Sequence, residues 1–454
     1  MGLLERNGST TRSGQLAEVR VISPRYAAYA LGLLCLTNAF NIGDRLLLGI
    51  IQEPIKYEFA LSDFQLGLLG GPAFAVLYSL MSIPIARVAD RSNRITVVSL
   101  ALALWSSLTG ACGLASSYAQ LLVARLGISV GEAGAVAPSL SYISEIFSPR
   151  RRATAMAVFA IGGPGGALLA TIFGGRIAEH YGWRASFLCF GAVGVTLALL
   201  VRLTLREVRQ VSAQRDTVAF SDAIRWLVSR KSYIHVCVAG IYASFCASFI
   251  MQYMTSFLMR VHELSLANAS LVVGLAGGIF GMIGAFFGGF LADTVAKKAP
   301  SRRTLVVAVA FVIGGSSYAA AFWAPLAMAI PLLFLGSLCT NSYPGVSFAV
   351  ASSVAPTAIR ATSLAIFTIM GNLFGYAVGP PLLGILSDFL AQWKIDALGV
   401  EGLRCMAEPA LAFCVESRGF GLRVALSVAG ILLFGGSVHY WLASHTLERD
   451  MVDG

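Results

Sequence analysis

"RATAMAVFAIGG" (Arg152–Gly163) and "RATSLAIFTIMG" (Arg360–Gly371) are one stretch written twice: at an offset of 208, Arg, Ala, Thr, Ala, Phe, Ile and Gly coincide without a gap. A second pair lies one hairpin earlier. "IARVADRSNR" (Ile85–Arg94) and "GGFLADTVAKK" (Gly288–Lys298) each place Ala-Asp ahead of basic residues at the end of an apolar run, at an offset of 203. Two pairs at nearly the same offset point to a duplicated unit, a common construction in polytopic membrane folds.

Composition supplies the setting for that duplication. Hydrophobic residues make up 57% of 454, charged residues 12%, and mean hydropathy is +0.75, far above a soluble domain. Apolar segments long enough to cross about 30 Å of hydrocarbon run at 25–52, 62–86, 95–115, 118–146, 153–178, 185–203, 233–258, 268–291, 304–323, 326–354, 362–389 and 421–443. The expectation is an all-α polytopic membrane protein of twelve transmembrane helices in two six-helix pseudo-symmetric bundles. Its parts are a tail at 1–24, a bundle at 25–203, a basic linker at 204–231, a bundle at 232–443 and a tail at 444–454. Within the linker, "FSDAIRWLV" (Phe220–Val228) reads as a short interfacial helix.

A net charge of +10 invites a polyanionic partner, but the distribution of basic residues argues for topology instead. With both termini cytoplasmic, the segments on that side hold 23 of the 33 Lys and Arg and the opposite side eight, while Arg45 and Arg125 fall inside spans. This is the positive-inside pattern, so nucleic acid is not an expected partner and the termini are expected in the cytoplasm of a plasma (inner) membrane. The first span has no convincing cleavage site after it and reads as retained. Six of the eight Cys lie in spans, where a small buried apolar side chain is the simplest role. Cys405 and Cys414 share the one long loop outside, where an oxidising compartment permits a disulfide.

The repeated marks resemble the major facilitator superfamily. Ala89-Asp90-Arg91 with Arg94, and Gly289 with Ala292-Asp293, are similar to its loop motif after spans 2 and 8; "GGPGGALLATIFGG" (Gly162–Gly175) resembles its Gly-Pro motif in span 5. A narrower likeness runs through 38–147. Asn41, Asp44 and Arg45, "DRSNR" (Asp90–Arg94), and Gly131-Glu132-Ala133 with Ala137-Pro138 resemble the Spinster family of lipid transporters. The chain departs from that family at Gly134, where a small hydroxyl residue is usual, and at Ile95, where a basic one is. The resemblance implies alternating access around a central cavity lined by spans 1 and 4, and lysophospholipid or sphingolipid-like substrates. It assigns gating to the loop-motif residues Asp90, Arg91, Arg94 and Asp293.

Ionisable groups inside a span cost roughly 2.5–3.5 kcal/mol each on insertion scales, so they face a bundle interior or a wet cavity. In "FNIGDRLLL" (Phe40–Leu48), Asp44 and Arg45 interrupt an apolar run, and span 4 carries Arg125 and Glu132, seven residues apart on one helical face. Burial favours a protonated carboxyl and a nearby guanidinium favours the ionised form, so such a cluster can couple movement to protonation. Asp44 is the first candidate proton carrier and Glu132 the second, with Arg125 as counter-charge to Glu132. Arg45 serves as counter-charge or as a hook for an anionic headgroup. Asn41, Phe249, Gln252, Tyr253 and Asn341 are candidates for the substrate cavity. "SLCTNSYPGVSF" (Ser337–Phe348) breaks span 10, with Pro344 and Gly345 as a bending point.

No Gly-Lys dipeptide occurs, so no Walker A loop is present, and the five His show no metal-ligand spacing. With no nucleophile elbow either, the chain is expected to be neither an enzyme nor a carrier of cofactor or metal. The sequence therefore reads as a proton-coupled secondary transporter of an amphipathic lipid-like molecule, acting as a monomer among membrane lipids. A proton-coupled symporter of small organic anions stands second; a passive scramblase or non-transporting sensor is the reading from another class.

Overall fold

The computed structural model describes residues 23–208, 220–297, 299–356, 359–397 and 412–452, except the side chains of 90, 149, 150, 153, 361 and 412. The tail expected at 1–24 falls almost wholly outside these residues. Among the described residues, twelve helices are long and apolar enough to cross a membrane: α1 (Pro24–Phe59), α2 (Asp63–Ala89), α3 (Arg94–Cys112), α4 (Tyr118–Ile146), α5 (Thr154–Tyr181), α6 (Trp183–Thr204), α7 (Lys231–His262), α8 (Leu266–Ala296), α9 (Arg302–Ala321), α10 (Leu326–Ser353), α11 (Thr362–Ala397) and α12 (Phe413–Asp450). A further helix, Phe220–Val228, lies in the linker. An even number of crossings puts Pro24 and Asp450 on one face, the terminus side; the opposite face is the far side.

Local chemistry sets several ends. Ser23 accepts from the Tyr26 N–H with Pro24 in the first turn, and a reciprocal Ser62–Gln65 box starts α2. Two helices outrun the expected spans. α1 continues seven residues past 52, through Glu53, Pro54 and Lys56, and α12 starts at Phe413 and ends at Asp450, so 444–450 is helix, not tail. Both extensions have partners to account for them: Glu53 and Lys56 are buried in ion pairs described below, and Asp450 Oδ2 accepts from the N–H and hydroxyl of Ser232 at the start of α7 (2.8 and 3.0 Å).

Two large hydrophobic cores result among the described residues, one drawn from Ala27 to Leu205 with Leu266, the other from Ala223 to Leu447, with a small third cluster at Ile395 and Cys414. The duplication also shows in helix irregularities. α2 breaks at Gly71 and α8 carries a wide turn at Leu275–Phe280; α4 breaks after Glu132 and α10 after Thr340; α5 widens at Ala170–Gly174 and α11 at Gly371–Ala377. Each pair is separated by about two hundred residues, like the sequence repeats.

The bundles approach each other through glycine. A Cβ on Gly67 of α2 would stand 2.5 Å from Pro380 O, one on Gly384 of α11 2.5 Å from Asp63 O, and one on Gly49 of α1 2.6 Å from Met251 O. Missing side chains let α1 meet α7 and α2 meet α11 at backbone distance. Towards the terminus side, Leu80, Ile83 and Val88 of α2 and Ile369, Leu373 and Phe374 of α11 are exposed instead.

Candidate functional site

The charged residues singled out in α1 and α4 do meet, though in a different pairing. Arg45 Nε donates to Glu132 Oε2 at 2.6 Å and its Nη2 to Asn41 Oδ1 at 3.0 Å, while the guanidinium lies 4.5 Å from the ring centres of both Phe74 and Tyr78. Glu132 was expected opposite Arg125; its ion pair is with Arg45. The reason is geometric: α4 breaks just after Glu132, which leaves that side chain at the helix end facing α1. Arg125 is 2% exposed, sits 6.0 Å from the Phe74 ring, and its Nε and Nη1 have no hydrogen-bond partner among the described residues.

Asp44 points elsewhere, to α3, where Thr109 donates to its Oδ2 at 2.5 Å. Its Oδ1, like Glu132 Oε1 and Asn41 Nδ2, has no partner among the described residues. All these groups are buried, with Arg45 the one that keeps a fifth of its side chain accessible (20%, against 0% for Glu132). Two acids and two guanidiniums balance in charge, a requirement for ions this far from water.

A cavity of about 200 Å³ lies between the bundles, bordered by Leu46, Met251, Val273, Asn341, Tyr343 and Tyr376. Leu46, the residue after Arg45 in α1, is part of this wall and ties the cavity to the cluster. Asn341 borders this cavity, its amide donating to Ser337 O (2.8 Å), and α10 is interrupted at Asn341–Ser342; Pro344 falls in the first turn of the following segment. Phe249, Gln252 and Tyr253 are not in this wall. Phe249 packs edge-on to Phe245, and the other two belong to a lock that the sequence reading missed.

That lock closes the far side. Arg260 of α7 clamps Glu53 of α1 (Nη2–Oε1 2.5 Å, Nε to both oxygens 3.0 Å) and Asp63 of α2 (Nη1–Oδ2 and Nη2–Oδ1, both 2.8 Å). Lys56 pairs with Asp63 from the N-terminal bundle, and Ser387 of α11 donates to Asp63 Oδ2 at 2.7 Å. Asp388 of α11 accepts the N–H groups of Asp63 and Phe64 (3.0 and 2.9 Å), capping α2 from the other bundle. Tyr253 donates to Asp63 O and Pro380 O, and the side-chain amides of Gln52 and Gln252 bond each other. The signal for this lock was present in "QEPIKYEF" (Gln52–Phe59), whose charges read as loop because apolar content falls away there.

The loop-motif residues divide. Arg94 is 4% exposed and bonds Glu145 (2.6 and 2.8 Å) and Ser141 in the N-terminal bundle, and Glu207 (2.9 and 3.1 Å) and Val208 O at the start of the linker. It staples α3 and α4 to the chain just after α6, and among the described residues it makes no bond to the C-terminal bundle. Arg91 and Asp293 are exposed. The Asp90 side chain and Cys405 lie outside the described residues; Cys414 is buried at the start of α12.

Twelve membrane helices in two bundles, with a buried charge cluster beside a central cavity and a closed far side, define a membrane transporter. The family model described as Major Facilitator Superfamily matches residues 33–380, and the chain belongs to that superfamily, where it is a Spinster-like protein and not an enzyme. The crystal structure of a bacterial homologue of the human lysosomal transporter Spinster, inward-facing and unoccupied, superposes with a TM-score of 0.86 at 29% identity, over 95% of this chain and 100% of that one. An MFS-type efflux pump of Mycolicibacterium smegmatis is 33% identical over 95% of both chains. A probable sphingolipid transporter of Arabidopsis thaliana, spinster homolog 2, is 24% identical over 76% of this chain and 74% of its own.

Proposed function

We propose that this protein is a proton-coupled secondary transporter that moves a lysolipid- or sphingolipid-like amphiphile by alternating access. It works as a monomer in the plasma (inner) membrane with both termini in the cytoplasm. The observation that carries the reading is the Arg45–Glu132 pair: the cation is partly accessible beside the cavity and its carboxylate partner is not. An anionic headgroup that takes the Arg45 fork leaves Glu132 buried without a counter-charge, and a proton then restores neutrality. Asp44, whose bond among the described residues comes from Thr109, is the other proton carrier. Arg125 stays as the fixed positive charge that sets how readily either acid takes a proton.

The lock and the cavity supply the access half of the cycle. With Arg260 clamping α1 and α2 to α7, the far side is sealed while the terminus side is not, the inward-facing arrangement if the termini are cytoplasmic. The solved Spinster homologue and the plant sphingolipid relative support the lipid class, and the mycobacterial efflux relative supports outward movement. The proposed Cys405–Cys414 disulfide would tie the far-side loop to α12.

A thermal-shift panel on purified protein tests the substrate class. Lysophospholipids and sphingoid phosphates should stabilise the wild type and lose that effect in Arg45→Ala. Stabilisation by sugar acids alone would replace the lipid reading with the organic-anion one.

A further inference from the structure

The linker helix Phe220–Val228 takes no part in the site above, and its surface is unusual for a segment outside the spans. At about 100° per residue, Ala223 and Leu227 fall next to Phe220, Ile224 and Val228, making one continuous apolar arc, with Asp222, Arg225 and Ser229 opposite. Protein covers only half of that arc. Ala223 and Leu227 are 2% and 1% exposed, and Trp226 Nε1 donates to Val354 O at the end of α10 (3.2 Å), so this half is docked on the C-terminal bundle. Phe220, Ile224 and Val228, spaced i, i+4, i+8, are 65%, 39% and 60% exposed.

Position and charge say what meets the uncovered half. α7 enters the apolar region at Lys231, three residues after the helix ends, so the helix lies at headgroup depth on the terminus side. Arg225 lies on the polar arc, its side chain 84% exposed and its Nη1 3.6 Å from Asp222 Oδ1, and Arg230 is held over the Trp226 ring at 4.3 Å. An apolar stripe flanked by Arg225, Arg230 and Lys231 matches the boundary between acyl chains and anionic headgroups.

We propose that Phe220, Ile224 and Val228 form a lipid contact site that inserts into the terminus-side leaflet, with Arg225, Arg230 and Lys231 holding anionic phospholipid headgroups. The contact fastens the end of α10, and with it the C-terminal bundle, to the membrane surface while the N-terminal bundle moves against it.

The test places a single added cysteine at 224 or 225 in the full-length protein, labels it with an environment-sensitive fluorophore, and subtracts the signal of protein without the added cysteine. Reconstitution is in phosphatidylcholine vesicles with or without phosphatidylglycerol, each with and without a lipid carrying a chain-borne quencher. The probe at 224 should be blue-shifted and quenched at least twice as strongly as that at 225. Phosphatidylglycerol should increase quenching at 224, and Arg225→Gln with Arg230→Gln should remove the increase. Equal water exposure at both positions overturns the proposal. So does a shielded probe at 224 that the lipid quencher cannot reach, which would mean that another part of the chain covers the stripe. Quenching at 224 that ignores phosphatidylglycerol overturns the headgroup contact and the proposal with it.

Discussion

Arg45 holds three kinds of contact at once: a carboxylate, an amide oxygen and two aromatic faces. Lysine keeps the charge but cannot reproduce the planar fork or the stacking. Arg45→Lys is therefore expected to lower transport of an anionic lipid at least tenfold while the protein still folds, read as uptake against thermal stability. A variant with normal uptake would remove Arg45 from headgroup binding. Asp44→Asn keeps a partner for Thr109 but cannot take up a proton, so it should abolish gradient-driven accumulation and leave substrate exchange measurable. These residues were legible in the sequence because charges stand out in apolar runs. Their pairing was not: seven-residue spacing put Arg125 and Glu132 on one face, but the break after Glu132 turned that carboxylate to α1. Thr109 gave no signal, since a threonine among apolar residues is unremarkable in a span.

At the scale of elements, α2 is two pieces. The segment Asp63–Gly70 lies against Pro380 and Pro381 of α11 and is capped by Asp388, whereas Pro72 starts the segment that carries Phe74 and Tyr78 to Arg45. Gly71, at φ −95° and ψ −96°, joins them. A Cβ at Gly67 must displace α11 backbone, and overpacking of this kind costs about 1–3 kcal/mol. Gly67→Ala should thus weaken the closed far side, which a pair of spin labels on α2 and α11 would report as a longer distance population. An unchanged distribution would mean that the α2–α11 contact does not hold the gate. The break in α10 was visible from its polar residues and Pro344; the wide turns in α5, α8 and α11 were not, because "ATIFG", "LAGGIF" and "GNLFGYA" are apolar or Gly nearly all round and carry no stripe whose shift would show an extra residue.

For the whole molecule, the repeat already visible in Arg152–Gly163 and Arg360–Gly371 extends to the paired helix irregularities, so the fold was largely readable. The lock was not, because its charges sit where the apolar runs fade and only the meeting of the bundles shows their purpose. Arg260→Met leaves Glu53 and Asp63 facing each other with Lys56 alone, and removing one member of a buried ion set costs about 3–5 kcal/mol. That cost falls on the far-side-closed state, so the variant should populate the far-side-open form, seen as new cysteine labelling at far-side positions in the cavity.

Protons bound at Asp44 and Glu132 are proposed to drive movement of a lipid-like substrate. The most direct test is uptake of a labelled lysophospholipid into proteoliposomes across an imposed pH gradient. Wild type should accumulate substrate above equilibrium, lose accumulation when the gradient is collapsed, and lose it in both Asp44→Asn and Glu132→Gln. Mere equilibration with or without the gradient, or full accumulation by either variant, would contradict the account.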